Sequence, residues 1–209
     1  YTYSLKQGIK DGFLAPYRII RVDHDVDERG LSIEGRTTDD EGEVLDKNFF
    51  RPSEIDKKVV VDKRTKLVAK RIVQEQQKID KFAKVIVFCQ DQEHASRLRM
   101  QIVNELGRSS INEKNFCMRI TSDDDEGKSM LEDFIDPDKK YPVIVTTSKL
   151  LSTGVDTKMV KMIVIDQAIN STSEFKQIIG RGTRIDEARG KVFFTILDFK
   201  GATRAFSDN

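Results

Sequence analysis

The sequence predicts an α/β protein built on a doubly wound parallel sheet with helices on both faces. Short runs of β-branched and other apolar residues, bounded by turn or polar residues, are typical of strands buried in such a sheet. Helical segments separate these runs, which favours parallel strands joined by right-handed crossovers. The chain has 209 residues, enough for one substantial core. The predicted strands are 17–22, 85–88, 116–120, 143–145, 162–165 and 192–197.

Residues 1–80 are predicted to form an entry segment, a small hairpin and a linker helix. Residues 23–50 alternate weakly between apolar and polar and contain two clusters of turn residues, which favours an antiparallel hairpin or meander. Residues 62–80 carry an apolar stripe on an otherwise charged segment, as a surface helix does. The main domain is therefore predicted to span residues 81–209.

Three further helices are predicted between the strands of the main domain. One begins at Asp91, and Gly107 is predicted to end it because glycine readily adopts the left-handed conformation of a helix terminus. Residues 130–135 form a short second helix. The third begins at Ser171, since a serine followed three residues later by Glu174 is a capping-box pattern.

The bulk composition bounds the class of protein without naming its function. Lys and Arg total 36 and Asp and Glu total 35, and this balance neither supports nor excludes binding of nucleic acid. No apolar run approaches the ~20 residues of a membrane span, and no signal peptide is visible. Cys89 and Cys117 lie in apolar runs, which predicts two buried free thiols in a reducing cytoplasm. Because the chain starts at Tyr1, we expect it to be part of a longer protein.

The helix that begins at Ser171 is predicted to have two faces. Gln177, Arg181 and Arg184 are three or four residues apart and are predicted to share one of them. Gly180 and Gly182 would each weaken a helix by about 1 kcal/mol relative to Ala, so we expect them to let a backbone or ligand approach and the arginines project. Two guanidinium groups on one face suit a phosphate chain. The other face, predicted to pack on the sheet, carries Phe175, Ile178 and Ile179.

The arginine motif, Gln177-x-x-Gly180-Arg181-x-x-Arg184, resembles the sixth motif of superfamily 2 helicases and translocases. The resemblance implies a RecA-like fold for the main domain. It also implies that Arg181 and Arg184 are catalytic residues that neutralise the transferring phosphoryl group of ATP. Gln177 would link the nucleotide site with the DNA site. A surface helix with two solvated arginines is the alternative interpretation.

A second segment, upstream of the arginine motif, resembles the fifth motif of the same superfamily. It runs from Thr146-Thr147-Ser148 to Gly154-x-Asp156, and the resemblance implies that Gly154 and Asp156 contact the nucleotide. In parallel sheets, ligands bind beyond the carboxyl ends of the strands, where small polar residues can bond phosphates. Helix capping is the alternative use of such residues. The predicted nucleic-acid-binding residues are Gln90, Thr121, Thr146, Thr147 and Ser148.

Three other patterns imitate known sites but are interpreted as structural. Residues 122–129 end like a phosphate-binding P-loop, but the first glycine is absent and four carboxylates would repel a polyphosphate. Residues 136–140 imitate a restriction-nuclease core, but its parts are packed into one polar loop. Residues 23–28 are rich in carboxylates, but no second His or Cys stands nearby to complete a metal site. We therefore predict no metal site.

The two ends of the chain, residues 1–14 and 197–208, narrow the resemblance to the motor subunit of type I restriction-modification enzymes. The entry segment, residues 1–14, resembles the start of the second motor domain in that family. Residues 148–156 resemble the family's form of the fifth motif, whereas residues 24–80 add little. The segment resembling the end of the domain is Leu197-Asp198-Phe199-x-Gly201-Ala202-Thr203-x-x-Phe206-x-Asp208.

This resemblance implies a part of an ATP-dependent double-stranded DNA translocase, within a type I site-specific deoxyribonuclease. ATP and Mg²⁺ would be bound mainly by the first RecA-like domain, whose P-loop and D-E-x-[DH] motif this sequence lacks, so the isolated chain is predicted to be inactive. The implied partners are double-stranded DNA, that first domain, and the modification and specificity subunits, with no membrane. The alternatives are another superfamily 2 enzyme, such as a type III restriction motor or a repair helicase, and a non-enzymatic α/β interaction module.

Overall fold

The computed structural model of the chain describes most of the predicted main domain and parts of the region before it. The predicted turns at 28–30 and 39–42 and most of the carboxylate-rich segment 23–28 lie outside the described residues. The described residues are 5–23, 31–32, 37–38, 44–45, 49–50, 62–109, 111, 114–120, 125–148 and 158–206.

A six-stranded sheet forms the centre of the molecule, and every neighbouring pair of its strands is parallel. Its strands are β1 (Tyr17–Arg21), β6 (Lys84–Cys89), β7 (Cys117–Arg119), β8 (Ile144–Thr147), β9 (Val160–Asp166) and β10 (Phe194–Asp198). Their order across the sheet is β1-β10-β9-β6-β8-β7. The central strands are buried along nearly their whole length, as their unbroken apolar runs require. The predicted doubly wound parallel sheet is confirmed.

Helices cover both faces of the sheet, and each face has its own apolar core. The helices are α1 (Leu5–Lys10), α2 (Asp62–Ile79), α3 (Gln92–Arg108), α4 (Asp125–Ile135), α5 (Thr172–Gly180) and α6 (Ala202–Phe206). One core joins the sheet to α2 and α3, and the other joins it to α4, α5 and α6. None of the helices in the described ranges combines the length and the apolar character that a membrane span requires.

Four short strands before α2 pair in an antiparallel manner, which confirms the predicted hairpin. Leu31 pairs with Phe50 at the outer end, and Thr38 pairs with Val44 nearer the turn. The pairs are therefore nested along the chain. The strands are β2 (Leu31–Ser32), β3 (Thr37–Thr38), β4 (Val44–Leu45) and β5 (Phe49–Phe50).

The predicted boundary at residue 80 does not divide two cores in the described part of the chain. β1, from the entry region, lies beside β10 in the main sheet, with Tyr17 opposite Phe194. The linker helix α2 places Val68 and Ile72, both fully buried, in the core that it shares with α3. Both segments are thus integral to the main sheet and its core.

The helix predicted over residues 130–135 begins at Asp125 in the structure. Hydrogen bonding decides two further differences between predicted and observed element boundaries. α3 continues through Gly107 to Arg108, because the Ser109 N–H closes the helix by donating to the carbonyls of Glu105 and Leu106. β10 begins at Phe194, whose N–H donates to the Pro16 carbonyl at 3.1 Å. Residues 192–193, predicted to be strand, are about half exposed and precede that first bond.

Candidate functional site at the two edges of the sheet

The helix that carries the arginine motif begins where the capping-box pattern predicts. The Ser171 hydroxyl accepts a hydrogen bond from the Glu174 N–H at 3.1 Å. The Glu174 carboxylate in turn accepts from the Asn170 N–H at 3.1 Å and from the Gln167 side-chain amide at 2.9 Å. Two orphan backbone donors at the helix start are thereby satisfied, which fixes the start of α5 just after the carboxyl end of β9.

α5 runs antiparallel to the strands, so the arginine motif ends at the amino edge of the sheet. The predicted apolar face is confirmed, since Phe175, Ile178 and Ile179 are at most 4% exposed. The far end of the helix packs against the first residue of β10: a Cβ atom at Gly182 would lie 2.3 Å from Cδ2 of Phe194. The candidate phosphate-binding arginines and the polar residues that follow the strands therefore lie at opposite edges.

The two arginines do not share a helix face, contrary to the prediction. α5 ends at Gly180, so Arg181 is its C-cap residue and Arg184 lies in the segment that follows. The Thr183 hydroxyl donates to the Gly180 carbonyl at 3.0 Å and helps to terminate the helix. Arg184 and Gln177 are exposed and Arg181 is half-buried, so the motif still presents guanidinium groups at this edge.

The two glycines of the motif have different roles. No atom lies within 4 Å of a Cβ added at Gly180, so that position borders open space and leaves room for an approaching ligand. Gly182 instead makes room for the ring of Phe194, which is fully buried. At Gly182, the group that approaches closely is therefore a side chain of the protein itself, the ring of Phe194, and not a ligand.

The entry segment is tied to the arginine motif through main-chain hydrogen bonds. The Ala15 N–H donates to the Thr183 carbonyl at 2.7 Å, between the two arginines. The neighbouring carbonyl of Pro16 accepts the N–H of Phe194. β1 thus enters the sheet in direct contact with the segment that positions Arg181 and Arg184.

At the carboxyl edge, two of the predicted nucleic-acid-binding residues are accessible and two are not. Gln90 and Ser148 are half-buried, and the Gln90 side-chain carbonyl accepts the Ala168 N–H at 3.1 Å. Thr146 and Thr147 are fully buried within β8. The Thr146 hydroxyl donates to the Ala95 carbonyl at 3.0 Å, so it joins β8 to α3 and is not available to a phosphate.

Three of the predicted site residues, Thr121, Gly154 and Asp156, lie outside the described residues. No group of three or more His, Cys, Asp or Glu side chains is arranged to hold a metal ion in the described ranges. Asp138, from the nuclease-like segment, pairs with Arg189 at 3.2 Å. Its carboxylate therefore has a structural partner.

A buried ionic cluster, which the sequence analysis missed, lies beneath the carboxyl edge. Asp166, the last residue of β9, is fully buried and binds the guanidinium of Arg64 in a bidentate arrangement, with N···O distances of 2.6 and 3.2 Å. His94 of α3 places Nε2 3.2 Å from the same carboxylate. Nothing in the sequence distinguishes Asp166 from a strand-end residue exposed to solvent, because its partners are far away along the chain.

The charges in this cluster follow from its hydrogen bonds. The Gln90 N–H donates to Nδ1 of His94 at 3.2 Å, so Nδ1 is unprotonated and the proton of the neutral ring is on Nε2, facing Asp166. Burial alone would raise the pKa of the Asp166 carboxyl, but the Arg64 guanidinium and His94 hold it well below its usual range. Asp166 is therefore ionised, and the cluster connects α2, α3 and β9 beneath Gln90.

Comparison with known proteins agrees with this geometry. Residues 63–186 match the family described as the helicase conserved C-terminal domain. The chain belongs to this family. Over its whole length it is 50% identical to the type I restriction enzyme EcoAI endonuclease subunit of Escherichia coli, of which it spans 26%. The resemblance to type I restriction motor subunits and to superfamily 2 helicases is thereby confirmed.

A solved structure of a type I restriction enzyme subunit also resembles this chain over its whole length. A structure described as a fragment of an HsdR subunit of a type I restriction enzyme from Vibrio vulnificus YJ016 is 42% identical, with a TM-score of 0.80. It matches all of this chain, which covers 36% of that one. The fold alone is shared with the ATP-dependent type ISP restriction-modification enzyme LlaBIII bound to DNA. That match has 15% identity and a TM-score of 0.55, and it covers 91% of this chain and 12% of the other.

The terminal segment that resembles type I motor subunits packs against α5, the helix that leads into the arginine motif. Asp198 accepts hydrogen bonds from the N–H and the hydroxyl of Thr203, both at 2.7 Å, and so fixes the start of α6. α6 then brings the ring of Phe206 to 5.8 Å from that of Phe175, on the buried face of α5. The segment therefore holds α5 from the side away from its exposed residues.

Proposed function

We propose that the chain is the second RecA-like motor domain of an ATP-dependent double-stranded DNA translocase of a type I restriction enzyme. The observation that carries the proposal is the arginine motif at the amino edge of the sheet, where it ends and follows a helix packed through three buried apolar side chains. In a family of helicase C-terminal domains, this edge is suited to close over a nucleotide bound by another domain.

Arg181 and Arg184 act in this proposal as arginine fingers. Their guanidinium groups neutralise charge that develops on the phosphoryl group during transfer, an effect worth roughly 10³–10⁵ in rate in other phosphoryl-transfer enzymes. The first RecA-like domain supplies the P-loop, the Mg²⁺ ligands and most of the ATP contacts. Gly154 and Asp156 contribute to the nucleotide site from this domain, where Asp156 contacts the ribose or orients the loop that does.

The carboxyl edge is the proposed DNA-binding edge. Gln90, Ser148 and Thr121 contact backbone phosphates, so binding is independent of sequence and sensitive to salt. Buried Thr146 and Thr147 support the loop that follows β8. Gln177 is exposed on α5, the element that runs between the two edges, which is consistent with a residue that links the nucleotide and DNA sites.

The proposed partners follow from the relatives that the chain resembles. They are double-stranded DNA, the first motor domain of the same subunit, and the modification and specificity subunits of a type I enzyme in the cytoplasm. The whole subunit would be a site-specific deoxyribonuclease. These assignments rest on similarity to proteins of which this chain covers a minor part.

The test compares Arg181→Ala and Arg184→Ala in the full-length subunit, assayed as ATP hydrolysis on long duplex DNA. Each should lower the rate by roughly 10³-fold or more while the thermal unfolding midpoint is unchanged. Arg108→Ala is the matched control, because Arg108 is an exposed arginine far from the motif in sequence, and its ion-pair partner among the described residues is Glu105. If the motif variants keep the control's rate, the arginine-finger assignment fails. If they lose activity only because they unfold early, the arginines are structural.

The chain by itself should neither hydrolyse ATP nor bind one DNA sequence preferentially. The reasons are the absence of a P-loop from the sequence and a net charge of +1. Phosphate release by the purified chain, with and without duplex DNA, is the measurement, together with DNA affinity over a salt series. DNA-stimulated turnover would contradict the division of the motor into two domains. Tight binding to one duplex and not to its scrambled counterpart would contradict backbone binding.

A further inference from the structure

A basic cavity lies at the amino edge of the sheet, beneath the three strands β8, β6 and β9. Its volume is about 260 Å³. Five of its nine lining residues are Lys or Arg, and one is acidic. The remaining walls are apolar. The lining residues are Asp80, Phe82, Lys84, Pro137, Lys139, Lys140, Met159, Lys161 and Arg189.

Lys84 is the unusual member of this lining. It is 5% exposed, and its ammonium group has no hydrogen-bond partner among the described residues. The ring of Phe134 offers a cation–π contact, with Nζ 5.1 Å from the ring centroid. Burial lowers the pKa of Lys84 to about 8, although Asp136 and Asp133 act in the opposite direction. A side chain retained only for packing would avoid this desolvation penalty.

Carboxylates pair with two of the five cations of the lining. Lys139 lies 3.8 Å from Asp133, and Arg189 contacts Asp138 and Asp186 at 3.2 and 3.4 Å. Those carboxylates are not part of the cavity wall.

Two other cations of the lining form no such ion pair within the part of the chain that the structure describes. Lys140 stacks on the ring of Phe82 at 4.0 Å. Lys161 has no carboxylate within 4.0 Å in the described part of the chain. Lys84, Lys140 and Lys161 therefore bring to the cavity positive charge that forms no ion pair within 4.0 Å among the described residues.

The positive charge of the lining favours an anion as the ligand, and the volume of the cavity favours a small one. Lysines act as point charges, which suits the several oxygens of a phosphate group. A volume of about 260 Å³ is just below the range of about 300–1,000 Å³ typical of pockets for drug-sized molecules. The cavity thus fits inorganic phosphate, pyrophosphate or the terminal phosphates of a nucleotide.

We propose that this cavity, formed around Lys84, Lys140 and Lys161, is a binding site for a phosphate-sized anion, distinct from the arginine motif. The site goes beyond the proposed motor function, since it uses none of the residues assigned to ATP or DNA. An anion in the cavity would offset the cost of the buried ammonium of Lys84. Binding would therefore stabilise the amino edges of the central strands.

The experiment measures thermal unfolding of the chain in increasing phosphate, against sodium chloride at matched ionic strength. Phosphate at ten times its dissociation constant should raise the midpoint by ~3–6 °C beyond the chloride effect. Lys84→Met keeps a side chain of similar length and removes the charge, so it should fold without phosphate and lose this gain. Lys70→Ala, which removes an exposed lysine of α2, is the control and should retain it.

Two further variants make the assignment specific. Lys161→Gln, at the half-buried rim, should weaken the effect even if Lys84→Met proves unstable. Equal shifts in phosphate and chloride, or equal shifts in wild type and both cavity variants, would overturn the proposal. A shift lost in Arg184→Ala but kept in Lys84→Met would place the anion at the arginine motif, which supports the motor assignment while rejecting this site.

Equilibrium dialysis with labelled phosphate identifies the source of the anion. One phosphate per chain, lost in Lys84→Met and not displaced by ADP, indicates free phosphate as the ligand. Displacement by ADP or pyrophosphate at the same stoichiometry indicates the terminal groups of a nucleotide or pyrophosphate. Absence of retained phosphate in the wild type at concentrations that shift the midpoint would contradict binding altogether.

Discussion

The same substitution at the two glycines of the arginine motif should have opposite effects on stability. At Gly182, an added Cβ would lie 2.3 Å from the ring of Phe194, whereas carbon atoms pack at ~3.5–4.0 Å. The backbone or the ring must therefore move by about 1 Å. Phe194 cannot turn away easily, since it is fully buried and its ring centroid lies 5.7 Å from that of Tyr17.

Overpacking of this kind costs about 1–3 kcal/mol, so Gly182→Ala should lower the unfolding midpoint of a chain of this length by roughly 2–12 °C. Gly180→Ala meets no atom within 4 Å and gains helix propensity, so it should raise the midpoint by about 1–3 °C. The assay is thermal unfolding followed by circular dichroism, with urea unfolding as a second measure.

The pair also tests what the open space at Gly180 is for. If it admits a ligand beside Arg181, Gly180→Ala in the full-length subunit should lower ATP hydrolysis although the protein is more stable. Equal midpoints for the two variants, or a stabilised Gly182→Ala, would refute the packing argument. An unchanged rate for Gly180→Ala would refute the role assigned to the open space.

Three further predictions concern buried titratable groups. Asp166→Asn should cost about 3–5 kcal/mol in urea unfolding, because it removes the carboxylate charge that the buried Arg64 guanidinium binds through two hydrogen bonds; a loss below ~1 kcal/mol would contradict this. The folded-state pKa of Lys84 is about 8, against 10.5 in the unfolded chain, so the desolvation penalty is complete below pH 8 and relieved as pH rises towards 10.5. Wild type should therefore gain stability relative to Lys84→Met over that range, and a constant difference would rule out a buried ammonium. Burial raises the pKa of the Cys117 thiol to about 12, and Cys89 is also buried, so a thiol reagent should modify neither cysteine before unfolding; rapid reaction of the native chain would show that one is accessible.

The sequence could predict the sheet and the start of α5 because both depend on local patterns. Apolar runs such as 162–165 can be buried on both sides only inside a sheet covered by helices. Ser171 and Glu174 satisfy donors within one turn of their own helix, so their pattern is sufficient to predict where α5 begins.

The end of the same helix was not predictable, because distant residues decide it. Gly182 packs against Phe194, and the Thr183 carbonyl accepts from Ala15, so the chain leaves the helical path before Arg184. A helical periodicity of three and four residues carries no information about such contacts. Hence the sequence identifies the motif, but the prediction that Arg184 lies on the same helix face as Arg181 is wrong.

The carboxyl edge shows a second limit of sequence patterns. Thr146 at a strand end is compatible both with a phosphate contact and with a bond to a neighbouring helix, and the backbone of α3 decides for the second. The ionic cluster around Asp166 combines side chains from α2 and α3 with the end of β9, far apart in sequence. Only the parallel strand order brings them together.

The hydrogen bond from Ala15 to the Thr183 carbonyl has a mechanical consequence. A force on the chain before β1 is transmitted to the segment between Arg181 and Arg184 by this main-chain hydrogen bond, with no side chain between them. Substitution of side chains does not detect this hydrogen bond, since every residue except proline supplies the same main-chain N–H. A backbone ester at position 15, which deletes the donor and leaves the side chain unchanged, would cut the link between the incoming chain and the arginines.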